Sequence, residues 1–479
     1  MHPLRAAVEE LRRSESFAWT LSHLREGQRG LRVHGAAGPF GPLALALAAS
    51  ELGRDLVLVT PDLRRARVLE RDLESLVAWL ERPFEVSILP PLEGEPYALI
   101  GAHGKVQRER VATLERLGVP RGDEDLLRLL IVPARSLLLP VPSPKELSTT
   151  AVELRVGDEE APADLAERLV ESGYSHADLV AAWGEFSHRG SVFDIFPPDT
   201  EQPVRVEYWG DEVTEIRHFD PETQRSVGNV DRVVLGAVRE AGPDASVAHR
   251  FARSIREHPH LDMAPPLIQQ VLEALDDEAS FPGFETLRWS EQEGVSVLEH
   301  LPGALCCCEL PDQVDAELRA GRERLEAACP EELRPFLPTP GDILRDHDEV
   351  HAEAIDQADL LLPDISWADA VEEDRLDLES RVVTRHGGDL QGFLDELRQH
   401  LERGGSAGLV LASEGRLQRM KDVLVEIGLS PHLAWVQDGE TGELDELPEN
   451  TLTLGQGLLA EGARLGGFAL HSEADIFGE

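Results

Sequence analysis

Positive charge is scarce in this chain. Its 479 residues carry 46 basic against 90 acidic side chains, a formal net charge of −44, and lysine stands only at Lys105, Lys145 and Lys421. Binding nucleic acid by neutralising phosphates needs a basic patch or stripe. None stands out, so the isolated chain is expected to be repelled by DNA. The near-replacement of lysine by arginine points to a GC-rich genome, with salt adaptation as the other reading of the acidity. Cysteine is almost as rare: Cys306, Cys307, Cys308 and Cys329, with no CxxC spacing. Three successive strand residues alternate faces and cannot converge on one ion. Buried, reduced thiols are expected in place of a metal centre or a disulfide framework. No apolar run nears the roughly 20 residues that cross a bilayer. The opening MHPLRAAVEELRRSESF reads as an amphipathic helix without a secretion signal's apolar segment. A cytoplasmic chain without a membrane partner is the expectation. HExxH is missing too, and the 17 histidines are scattered, so no catalytic residue and no metal ligand is assigned.

What is present reads as α/β. A chain of this length suggests three or four units. Leu31–His34 is a short strand, Gly35–Pro42 a glycine-rich loop, and Leu43–Leu52 a helix closed by Gly53. Leu56–Val59 is a second strand, followed by a helix that Thr60-Pro61 is expected to open and that Leu69, Leu73, Leu76, Val77 and Leu80 line at helical spacing. Such alternation argues a largely parallel, doubly wound sheet. Ser143–Thr150 is a polar connector, and a β-rich stretch follows until about Val230. Asp342–Glu379 is acidic and reads as a solvated linker or face. GLVLASEGRLQRMKDVLVEIG, from Gly408, echoes DLVLVTPDLRRARVLERDLES, from Asp55, in a strand–turn–helix design. The expected units are 1–144, 145–230, 231–378 and 379–479.

The glycine-rich loop sits where a phosphate-binding loop would. A working loop is GxxxxGK[ST], whose lysine reaches the β/γ-phosphates and whose hydroxyl holds Mg²⁺. Started at Gly35, the pattern puts Phe40 at the second glycine, Gly41 at the lysine and Pro42 at the hydroxyl. The acidic pair that would complete such a site at a strand end is Cys308-Glu309, with its first acid gone. The site is expected to be non-functional, with neither ATP nor Mg²⁺ as a cofactor.

The most specific stretch is Gly173–Ser226. Phe193 and Ile195 alternate with Val192, Asp194 and Phe196 until Pro197-Pro198 stops the strand. Val204, Val206 and Tyr208 then face away from Arg205, Glu207 and Trp209, and Gly210-Asp211 stands where a two-residue hairpin turn belongs. GYSHAD, GEFSHRGSVFDIFP and VRVEYWGDEVTEIRHFDPETQRS resemble the second domain of the bacterial transcription-repair coupling factors, a domain type shared with UvrB. LPPLEGEPY (Leu89–Tyr97), FPGFE (Phe281–Glu285) and SEADIFGE (Ser472–Glu479) extend the likeness more weakly along the chain.

The resemblance implies a degenerate P-loop-type parallel sheet domain, split by an inserted β-rich UvrA-interaction domain and followed by a small α/β domain. It implies an adaptor that recruits UvrA to RNA polymerase stalled at DNA damage. The alternatives are the front half of an ATP-driven DNA translocase and, less favoured, a UvrB-type damage-verification subunit. RNA polymerase contact, ATP and Mg²⁺ would belong to family domains lying beyond this sequence. Carried over residue by residue, the UvrA contacts are Arg189, His176 and Phe193. His176 stands where many members have arginine, and Ser187 where coupling factors carry a small residue. Phe193 is either an exposed apolar anchor or, through its alternation with Val192, a core residue.

Overall fold

The computed structural model describes residues 2–118, 126–150, 152–198, 200–238, 240, 245–278, 280–363, 375–433 and 450–478. A seven-stranded, all-parallel sheet forms its centre, in the order Arg375–Asp377, Leu31–His34, Leu360–Leu362, Leu305–Glu309, Leu56–Thr60, Leu127–Pro133 and Phe84–Ile88. Helices cover both faces, which is why Leu56–Thr60 is buried at every residue. Helix Phe40–Leu52 is apolar almost all round and buried at every residue from Phe40 to Ser50.

Three local expectations differ from the structure. Asp62, not Thr60-Pro61, caps helix Leu63–Val77, its carboxylate accepting from the Arg65 amide at 2.7 Å. The connector Ser143–Thr150 is largely helix, Pro144–Thr150, because Ser143 and Glu146 cap each other: the Ser143 amide donates to Glu146 Oε2 at 2.7 Å and the Glu146 amide to Ser143 Oγ at 3.3 Å. The acidic Asp342–Glu379 stretch is not simply a solvated face. It holds helices Pro340–Ile343 and His347–His351 at its start and the buried central strand Leu360–Leu362; positions 364–374 lie outside the described residues.

The β-rich insert is threaded through this body. Its six-stranded sheet runs Ser226–Val230, Glu212–Phe219, Val204–Trp209, Val192–Ile195, Glu185–Arg189, Ser175–His176. Strands Val152–Arg155 and Arg232–Leu235 pair antiparallel beside it. Val233 and Leu235 share a core with Phe186, Phe193 and helix residues Leu165 and Leu169, which carries the insert beyond the expected edge at 230. On the body, two short motifs meet: Glu285 of FPGFE accepts from the Ala102 amide at 2.6 Å, and Tyr97 of LPPLEGEPY joins Phe281 and Phe284 in one apolar cluster.

The C-terminal unit repeats half of the central sheet. Phe468–Ser472, Ser406–Leu411, Leu452–Gln456 and His432–Leu433 stand side by side and parallel. Leu305–Glu309, Leu56–Thr60, Leu127–Pro133 and Phe84–Ile88 have the same order and connection. The echo extends to chemistry. Arg65 on the helix after the second of these strands pairs with Glu309, and Arg416 on the corresponding helix pairs with Glu473. N-terminal helix Pro3–Arg13 covers the other face of this smaller sheet, where Leu4 and Val8 share a core with Val410, Phe468 and Leu470.

A closed phosphate loop and a candidate partner-binding sheet

Strand Leu31–His34 delivers the chain to the loop, and the loop's polar groups are then met by the protein itself. The Ala37 amide donates to Ser380 Oγ at 2.6 Å, and that hydroxyl donates to the Gly35 carbonyl at 2.5 Å. A Cβ at Gly35 would stand 2.1 Å from Asp377 Oδ1, and one at Gly38 would stand 3.0 Å from the Ala463 Cβ of the C-terminal unit. Phe40, Gly41 and Pro42 are all buried, Phe40 at 0% exposure. The positions of the second glycine, lysine and hydroxyl are thus packed into the core of the first sheet.

Glu309 is engaged as well. Arg65 Nε donates to Glu309 Oε2 at 3.0 Å and the Thr60 hydroxyl donates to the same oxygen at 3.4 Å. A guanidinium therefore neutralises the carboxylate at the strand end where a catalytic site would hold a metal. The loop of the C-terminal unit closes the neighbouring surface: the Leu458 amide donates to Ser75 Oγ at 3.0 Å and the Ala460 amide to Asp72 Oδ1 at 2.8 Å. Burial pushes the Asp72 carboxyl up to about 6. Among the described residues there is no group of three or more His, Cys, Asp or Glu that could hold a metal ion. No helix among the described residues is long and apolar enough to cross a membrane. All four cysteines are free; burial and the nearby Asp359 carboxylate push the Cys306 thiol up to about 11.

The sequence-named contact residues are placed apart. Arg189 closes strand Glu185–Arg189, is exposed, and makes no ion pair among the described residues. The register sets Ser187 opposite Asp194 and Arg189 opposite Val192, and Phe186 and His188 opposite Ile195 and Phe193. Period-two alternation therefore puts Arg189 on the outer face and Phe193 on the inner one. Phe193 is at 0% exposure, beneath His188 (ring centroids 4.2 Å apart) and against Phe186 and Tyr208. It is a core residue; the reading of Phe193 as an exposed anchor is corrected, because helix Pro162–Glu171 and the small second sheet cover that face. His176 lies exposed on the edge strand Ser175–His176, its ring edge-on to Phe186 at 5.5 Å. Ser187 is buried, its hydroxyl donating to the Asp178 carbonyl at 3.4 Å.

The outer face is otherwise self-satisfied. Arg205 grips Asp194 with two bonds, Nε to Oδ1 at 2.6 Å and Nη2 to Oδ2 at 2.9 Å. Arg217 bridges Glu207 and Glu215. Sequence reasoning missed this ladder, although the alternation of Arg205 and Glu207 with Val204, Val206 and Tyr208 was a signal for it. It also missed what holds the insert at a fixed angle to the body. Arg108, on helix Gly104–Gly118, donates to the Pro198 and Thr200 carbonyls at 2.7 and 3.0 Å and stacks 3.4 Å above the Trp183 ring.

Residues 152–240 match the family model of the UvrB interaction domain. Over 412 residues the chain is 30% identical to the transcription-repair-coupling factor of Mycobacterium tuberculosis, covering 80% of this chain and 32% of that protein. The protein of the same name from Myxococcus xanthus is 27% identical over 464 residues (90% and 38%), and that from Escherichia coli K12 is 25% identical over 475 residues (97% and 39%). The chain thus spans about a third of the length of the curated relatives it matches. With its parallel body, threaded β insert and trailing α/β unit, the chain fits the N-terminal portion of the transcription-repair-coupling factors and carries a UvrB interaction domain.

Proposed function

We propose that the chain is the adaptor region of a transcription-coupled nucleotide-excision repair factor, and that its insert recruits UvrA to RNA polymerase stalled at DNA damage. The observation that carries this reading is Arg189. It is an exposed cation without an ion pair among the described residues, on a sheet whose other outer arginines are already paired. In a chain of net charge −44 it offers a local, charge-assisted contact to a carboxylate on a partner. The Arg108 clamp supports the same reading, since a surface held at a fixed angle loses less freedom on docking. In calorimetric titration of purified UvrA, the chain is expected to bind, and Arg189→Ala to weaken binding about tenfold. An unchanged affinity would remove Arg189 from the contact.

The reading assigns no ATP turnover to these residues. ATP, Mg²⁺ and contact with RNA polymerase are placed in the part of the relatives that this chain does not cover, as in an ATP-driven DNA translocase. Ser380 on the loop amide and Arg65 on Glu309 support that assignment, because both occupy the groups a nucleotide and its metal would need. Phosphate release by the purified chain with ATP and Mg²⁺ is expected to stay at the buffer background. Turnover above that background, abolished by deleting the Gly35–Pro42 loop, would overturn it.

A further inference from the structure

We infer that Trp209 is the apolar anchor of the same docking face, taking the part that Phe193 cannot play, for a protein partner that presents an apolar pocket beside a carboxylate. This rests on the docking reading above and adds its centre of contact. The outer face divides into three zones. At one end Val180, Phe196 and Phe219 form a small buried cluster that closes it. In the middle every arginine is paired, Arg205 with Asp194 and Arg217 with Glu207 and Glu215. At the other end two groups remain, Arg189 and Trp209.

Both sit at hairpin tips on that end of the sheet. Arg189 pairs with Val192 across Gly190-Ser191, and Trp209 with Glu212 across Gly210-Asp211. Gly190 and Gly210 each take the first turn position with a positive φ, 65° and 66°, as tight two-residue hairpins require. Trp209 follows Arg205 and Glu207 at two-residue spacing, so it shares their face, and the register places Glu207 beside Val192 and Val192 beside Arg189. Sheet spacings put the Arg189 and Trp209 backbones on the order of 12 Å apart. One partner surface reaches both.

Trp209 is 81% exposed, the most exposed of the large apolar side chains among the described residues. Its indole contacts no other ring there. Tryptophan offers about 200 Å² of apolar surface and a single N–H donor. It is the residue type that most often dominates an interface when a pocket takes it. Its neighbour Tyr208 fills the insert core at 4% exposure, so the fold itself makes no use of Trp209. The apolar surface at the tip is therefore left for an incoming protein, with the Arg189 guanidinium beside it to set the register.

The test titrates purified UvrA into the full chain and into Trp209→Ala, Trp209→Phe and Arg189→Glu, with thermal midpoints recorded in parallel. Trp209→Ala is expected to raise Kd at least about tenfold with its midpoint unmoved, and Trp209→Phe to stay within about threefold of the parent. Trp209→Ala within about twofold of the parent, while Arg189→Glu still loses binding, overturns this inference and leaves the docking reading standing. A parent that fails to bind UvrA, or an Arg189→Glu variant that binds as well as the parent, overturns the reading itself.

Discussion

Replacing Arg110 by alanine is expected to lower stability by about 3–5 kcal/mol, the largest loss at the junction between insert and body. Arg110 lies within helix Gly104–Gly118 at 1% exposure, one of the largest fully buried side chains. Its Nη1 donates to the Pro90 carbonyl at 2.6 Å, its Nη2 to Glu240 Oε2 at 3.0 Å, and its Nε to the other oxygen of the same carboxylate. Glu240 stands at the end of the matched insert domain, and its side chain is 13% exposed. Removing the guanidinium strands a carboxylate with little water to solvate it, and leaves the Pro90 carbonyl without this donor. The loss comes from the orphaned charge more than from the missing attraction. The double variant Arg110→Met with Glu240→Gln is therefore expected to recover more than half of it, because both charges leave together. Urea unfolding followed by hydrogen exchange across the insert measures both. A single variant within about 0.5 kcal/mol of the parent would show that the pair does not tie the insert down.

Much of the scaffold was legible where apolar spacing has a single solution. Val204–Trp209 and the helix over Leu69, Leu73, Leu76 and Val77 read directly from their period. Strand Leu360–Leu362 did not: three leucines between Asp359 and Pro363 are too short to show a period, and only the pairing with Leu31–Arg32 on one side and Cys307–Glu309 on the other makes them a central strand. The departure from a GxxxxGK[ST] loop was legible as missing side chains, Gly41 where a lysine belongs and Pro42 where a hydroxyl belongs. What fills the loop was not, because Ser380 is 343 residues from Ala37 and Glu309 is 244 from Arg65. No local pattern encodes such pairs. The strand–turn–helix echo was visible in part; that it extends to four parallel strands and a matched arginine–glutamate pair appears only with the sheet order.

Phe193 marks the other limit, and it separates two kinds of partner contact. Its strand carries apolar residues on both faces, Val192 and Phe193 side by side, so alternation alone leaves the inward face undecided. The structure decides it through the residues on the same face: Phe186, Ile195, Val206 and Tyr208 form one core with Phe193 and helix residues Leu165 and Leu169. Phe193→Ala should then remove a fully buried ring from a packed aromatic group, a loss of about 3–5 kcal/mol. Because the insert has its own core, that loss should appear first as faster hydrogen exchange within residues 152–240, with the parallel body protected as before. Partner affinity should fall only in proportion to the unfolded fraction, and recover when temperature is lowered toward the stability maximum. Arg189→Glu should behave in the opposite way, losing affinity at every temperature while the insert stays protected. If Phe193→Ala left exchange in the insert unchanged and still weakened UvrA binding, the ring would be a contact after all, and the sheet would present its other face to the partner.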